Sequence, residues 1–165
     1  MSQIIQDAIN RQISAELGAS YAYLAMSAFC ERQSFPGCAR WLRLQSQEEY
    51  GHAMKLFDFL LARNLKVDLK AMAEPQGEFP SVAAVFEAAL KQEQEVGKQL
   101  DALYELAFKE KAFAALVELQ WFLTEQVEEE KTARDIVARF QMVGKDPSSL
   151  MDIDRMLGSR TAVEK

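Results

Sequence analysis

Leu65-Lys66-Val67-Asp68-Leu69-Lys70-Ala71-Met72-Ala73-Glu74-Pro75-Gln76-Gly77-Glu78-Phe79-Pro80 is the stretch on which the fold turns. With Pro75, Gly77 and Pro80 inside sixteen residues, it predicts a long connection and not a continued helix. Apolar residues on both sides recur at spacings of three and four, and strand alternation is absent. Upstream, this periodicity predicts helices over about 4–33 and 36–64, broken at Phe35-Pro36-Gly37. Downstream it predicts helices over about 81–111 and 113–143, with Ser81 as N-cap and Gly144 as the stop. Asp146-Pro147 then supplies an N-cap and a first-position proline for a short fifth helix, about 147–158, ending at Gly158. Four helices of about 30 residues are each ~45 Å long. Short turns fold them into two antiparallel hairpins. A structureless loop as long as 65–80 would count against such an assignment, unless it is a crossover returning the chain along the bundle. The second and third helices then run parallel. The expectation is all-α: one domain over 1–165, a four-helix bundle with one long crossover and a short C-terminal helix.

Composition agrees and excludes several function classes. Of 165 residues, 49% are apolar and only 7 are Gly and 4 Pro, a helical vocabulary with enough apolar material for a core. The net charge of −6 and the lack of any Lys/Arg run argue against nucleic acid as a partner. Met1-Ser2-Gln3-Ile4 lacks the features of a signal peptide, and no apolar stretch approaches a membrane span, so a cytoplasmic protein is expected. Cys30 and Cys38, eight apart, match no zinc or redox spacing and read as free thiols of a reducing compartment.

Polar residues stand where apolar ones should be. Glu16 shares a helix face with Ile9, Ile13, Ser20 and Tyr23. Glu49 and His52 lie between Leu42 and Leu56. Glu93 lies among Phe86, Leu90, Val96 and Leu100, and Gln126 and Glu129 lie between Phe122 and Ala133, Ile136. Every long helix thus aims a carboxylate at the core. Glu16 precedes Glu49 and His52 by 33 and 36 residues, and Glu93 precedes Gln126 and Glu129 by the same 33 and 36. In an antiparallel hairpin two residues are level when their midpoint falls at the turn, and both pairs of midpoints do. The twofold repeat Glu-x32-Glu-x-x-His and Glu-x32-Gln-x-x-Glu therefore predicts one site at one level of the bundle.

A buried hydrogen-bonded network without metal is the plainer alternative, and charge weighs against it. A buried unpaired carboxylate costs several kcal/mol. No Lys or Arg lies in the stripes at this level, whereas two divalent cations would balance Glu16, Glu49, Glu93 and Glu129. Oxygen-rich ligation with one imidazole suits iron or manganese, and zinc would offer no redox chemistry. Glu49 is the natural bridge between two ions.

The segments Glu16 to Tyr23, Gln47-Glu48-Glu49-Tyr50-Gly51-His52, Gln92-Glu93-Gln94 and Trp121-Phe122-Leu123-Thr124-Glu125-Gln126-Val127-Glu128-Glu129-Glu130-Lys131 resemble bacterial non-haem ferritin in residue type and spacing. The likeness covers essentially the whole chain. It implies a ferritin-like bundle, iron storage in a cage of twenty-four subunits, and ferroxidase chemistry on Fe(II) with oxygen or peroxide. It implies a di-iron centre with site A from Glu16, Glu49 and His52, with Gln126 nearby, and site B from Glu49, Glu93 and Glu129. A third iron position from Glu48, Glu125 and Glu128, with Glu129 shared, is implied on the cavity side. Tyr23 is implied as a neighbour and electron donor of the pair; for Trp121, packing is expected. Bacterioferritin differs by a second Glu-x-x-His and a haem-ligating methionine where Tyr50 stands here, so no haem is expected. Rubrerythrin would add a Cys-x-x-Cys iron domain, and the small DNA-protecting relatives place iron between subunits. The competing expectation is a catalytically silent helical bundle that binds metal or is purely structural. The stripe Leu150, Ile153, Leu157 of the fifth helix is expected to find its cover on neighbouring subunits at a fourfold axis.

Overall fold

The computed structural model describes residues 1–162 and, among them, contains five α-helices and no strand. α1 (Gln3–Arg32), α2 (Pro36–Ala62), α3 (Val82–Lys109) and α4 (Phe113–Val143) make a four-helix bundle, and α5 (Pro147–Gly158) packs on α2 and α4. Side-chain oxygens start three of the helices. Ser2 accepts from the Ile5 N–H, Ser81 from Ala84 at 3.1 Å and Asp146 from Ser149 at 2.8 Å. α2 lacks a cap of its own. Pro36 sits in its first turn, and Asp154 Oδ1 of α5 accepts from the Cys38 N–H at 2.8 Å. α2 and α3 stop short of the expected residues 64 and 111. Asn64 and Lys111 take φ of 54° and 53°, a left-handed conformation in which a right-handed helix cannot continue.

The crossover follows α1. At its start, the Gln6 and Asn10 amides donate to Lys66 O at 3.0 and 3.2 Å, and Asp68 N donates to Asn10 Oδ1 at 2.8 Å. At its end, Arg32 pairs with Glu78 at 2.6 Å, and the Phe29 and Phe79 rings meet edge to face at 5.4 Å. The segment therefore runs from the N-terminal end of α1 to its C-terminal end. Because α2 is antiparallel to α1, α3 begins where α2 began and runs parallel to it.

Buried apolar side chains form two clusters. One holds Tyr23, Phe29, Leu42, Phe86 and Phe140; the other holds Ile9, Ile13, Leu56, Leu100, Leu119 and Phe122. Each large side chain buried this way stabilises the fold by roughly 1.5–3 kcal/mol. Glu16, Glu49, His52, Glu93, Gln126 and Glu129 are all buried and belong to neither cluster. They form a polar belt between the two apolar halves. The fifth helix departs from expectation: Ile153 and Leu157 are buried against Trp41, Leu42 and the rest of the first cluster, with Leu150 partly buried beside them. Within one subunit Ile153 and Leu157 are thus already covered, and Leu150 is partly covered.

Candidate metal centre

Both hairpins deliver their polar residues to the belt. Ligand atoms of Glu16 on α1 and of Glu49 and His52 on α2 lie within 4.8 Å of one another. His52 Nδ1 is 3.5 Å from Glu49 Oε2. From the second hairpin, Gln126 Nε2 donates to Glu93 Oε2 at 3.0 Å and to the Glu93 carbonyl at 2.8 Å. The Gln126 amide N–H groups therefore face Glu93. The Tyr23 hydroxyl, fully buried, donates to Glu93 Oε1 in a short hydrogen bond. The hairpins are joined through Gln45, whose Nε2 donates to Glu129 Oε2 at 2.7 Å and to Glu49 Oε1 at 3.4 Å.

Electrostatics mark this belt as a place for cations. Burial, then the neighbouring Glu49, pushes the Glu16 carboxyl well above its ordinary range. Burial, then Glu93 and Glu129, does the same to Glu49. Glu93 is raised by burial, and Glu129 is pushed up to about 8 by burial, then Glu93 and Glu48. The cause is common: carboxylates crowded in low dielectric hold protons in place of a counter-charge. Glu16 Oε2 is buried without a hydrogen-bond partner, which costs about 1–3 kcal/mol. Hard oxygen donors, one imidazole and an orphan carboxylate oxygen together fit divalent iron.

The resemblance implies a third ion at Glu48, Glu125 and Glu128. Glu125 has a ligand atom within 4.8 Å of those of His52 and Glu129. Glu128 is exposed, and Glu48 forms an ion pair with Arg160 from the segment after α5. Trp121 sets its ring edge-on to His52, with centroids 5.3 Å apart, and carries the Lys55 ammonium 4.7 Å over its face. A cavity of about 500 Å³ beside His52 and Trp121 is also lined by Glu48, Lys55 and Ala162.

Three residues of the belt were not singled out from sequence. Gln12 donates to Glu16 Oε1 at 2.8 Å, as Gln45 does to Glu49, each from four residues upstream. This Gln-x-x-x-Glu pattern in both α1 and α2 was a signal available in the sequence. Arg160 carried no such signal, since only the docking of α5 brings it to the site.

The geometry can be set beside known proteins. The model of the ferritin-like domain matches residues 6–143. The chain belongs to the ferritin family. It is 33% identical to the bacterial non-heme ferritin of Staphylococcus aureus, over all of this chain and 99% of that protein. It is 34% identical, over the same shares, to that of Staphylococcus haemolyticus. An open-pore ferritin from the hyperthermophilic archaeon Archaeoglobus fulgidus superposes with a TM-score of 0.96, at 41% identity over 98% of each chain. A humanized archaeal ferritin gives 0.98 at 38% identity over 99% of each. As a ferritin, this protein stores iron, and its glutamate–histidine cluster is compatible with a di-iron site. Its ferritin neighbours support assembly from identical subunits. Among the described residues, no helix is long and apolar enough to cross a membrane.

Proposed function

We propose that this ferritin is a ferroxidase, a single ferritin-like domain over 1–165 that binds two Fe(II) as substrate and passes their electrons to oxygen. Supporting it above all is the convergence of Glu16, Glu49 and His52 ligand atoms within 4.8 Å, with one Glu16 oxygen buried and unbonded. Glu16, Glu49 and His52 hold the first ion, with Gln126 close by. Glu49, Glu93 and Glu129 hold the second, so Glu49 is shared. Two Fe(II) supply two electrons, enough to take dioxygen to the peroxide level, and peroxide itself serves as an alternative oxidant. Protons held by the crowded carboxyls leave as the cations arrive. Tyr23, whose hydroxyl donates to Glu93, serves in this reading as the donor of a further electron.

A third cation position from Glu48, Glu125 and Glu128, with Glu129 shared, lies between the pair and the cavity where mineral is stored. The assembly is a cage of twenty-four subunits in the cytoplasm. It uses neither haem nor a nucleic-acid or membrane partner. Oxygen uptake on adding two Fe(II) per subunit tests the reading. Glu49→Ala, which removes the shared ligand, is expected to slow the fast phase at least about a hundredfold, in the range of losing a catalytic electrostatic group. His52→Ala is expected to weaken the first site more than the second. An unchanged fast phase in Glu49→Ala sinks the ligand assignment. No fast phase in the wild type would leave a metal-binding bundle without turnover.

A further inference from the structure

We infer that Arg160 is a positioning residue of the metal centre, a tethered cation that neutralises Glu48 and holds Gln45 with its amide N–H groups turned toward Glu129 and Glu49. The inference rests on the ferroxidase reading above and adds a control on it that originates in α5.

The tether starts with the docking of α5 on α2. A Cβ added at Gly37 would lie 1.8 Å from the Asp154 carbonyl oxygen, and one at Gly158 would lie 3.0 Å from Gly37 Cα. Only glycines permit this approach. Asp154 then accepts from the Cys38 N–H, so both packing and a hydrogen bond fix where α5 ends. Two residues beyond its last residue, Arg160 spreads its guanidinium over the Trp41 ring at 4.7 Å. Nη1 donates to Gln45 Oε1 at 2.9 Å, and Nη2 donates to Glu48 Oε2. The two charged side chains are only 20% and 12% exposed, so solvent screens this pair less than a surface one.

Gln45 decides what the fork does. Its amide has one acceptor oxygen and one donor nitrogen. With the guanidinium occupying Oε1, Nε2 must face the carboxylates, as it does at 2.7 Å from Glu129 and 3.4 Å from Glu49. The reversed amide would set N–H groups against the guanidinium and an oxygen against Glu129. Arg160 thus selects the amide orientation that supports two proposed ligands. The same guanidinium occupies a Glu48 oxygen that a third divalent cation would need. Third-ion binding and the Arg160 clamp compete, and arrival of that ion releases Gln45.

Anaerobic Co(II) titration of the assembled full-length protein tests this in wild type, Arg160→Gln and Arg160→Lys. Calorimetry reads site number and affinity, the cobalt visible spectrum reads the geometry of the pair, and sedimentation confirms assembly. Wild type is expected to show two tight sites and one weak one. In Arg160→Gln the weak site should tighten at least about tenfold, because a unit charge a few ångströms away is gone. In Arg160→Lys the charge remains, so the weak site should stay near wild type. Both variants lose the two-pronged fork and should shift the spectrum of the tight pair. An unchanged weak site in Arg160→Gln, or a lysine variant matching the glutamine one, overturns the tethered cation. An unchanged spectrum in both variants overturns the positioning of Gln45. Absence of the two tight sites in wild type overturns the ferroxidase reading instead.

Discussion

Glu129 is 7% exposed, and its carboxyl titrates near 8 against 4.5 for an ordinary glutamate, chiefly through burial. Between those values the folded chain keeps a proton that the unfolded chain has lost. Stability that is fully present below about 4.5 therefore declines as pH rises and is gone by about 8. The melting temperature of metal-free protein is expected to fall from about pH 5 to about pH 8, and Glu129→Gln should flatten that slope. A divalent ion should raise the melting temperature more at the upper end, where it no longer competes with the proton. Calorimetric scans across this range check both, and a Glu129→Gln slope equal to wild type would contradict the burial account. At this scale the sequence was informative where chemistry and periodicity conflict. A glutamate in an apolar stripe is conspicuous, and the repeated 33 and 36 spacing levels the hairpins without any structure. A buried glutamine is less conspicuous because it carries no charge, so Gln12 and Gln45 passed as ordinary helix residues.

α5 shows what periodicity can and cannot tell about an element. Its apolar stripe said that a partner was needed, but a stripe does not specify whose surface supplies it. Ile153 and Leu157 found that surface on their own bundle. The deciding information lies in Gly37 and Gly158, two residues whose lack of a side chain matters only once the elements meet. Gly37→Ala is expected to lift α5 off α2, since its new Cβ would fall 1.8 Å from a backbone oxygen that no rotamer change can move. Asp154→Ala, which uncaps α2 and removes the acceptor of the Cys38 thiol, should cost about 1 kcal/mol. Thermal unfolding should rank Gly37→Ala well below Asp154→Ala; the reverse order would mean that the cap and not the close approach anchors the helix. Helix ends belong to this scale as well. The crossover limits were legible from Pro75, Gly77 and Pro80, and Asn64, a residue type that tolerates the left-handed region, was a further turn signal; the left-handed turn at Lys111 is a tertiary choice by a residue with no strong turn preference.

For the whole molecule, large apolar side chains remain outside. Phe108, Phe113 and Val117 are about 70% exposed around the α3–α4 turn, and Met142 and Met151 project near α5. An isolated subunit would present these to water, while contact with identical subunits would bury them. Sedimentation at neutral pH in ordinary salt is expected to give one species of about twenty-four times 18.7 kDa; a monomer or dimer would refute the cage. The crossover has a bearing on a different property, the order of events in folding. It is fastened to α1 at Lys66–Asp68 and again at Glu78–Phe79, and the chain between is largely exposed. Each hairpin can therefore form from contacts close in sequence, each bearing half of the carboxylates, before the long segment draws the halves together. Closing that seam without metal brings like charges into one dry layer, so protons must be taken up as it closes. Ions that enter at this stage act as clasps between two preformed halves, and closing of the seam becomes sensitive to what occupies it.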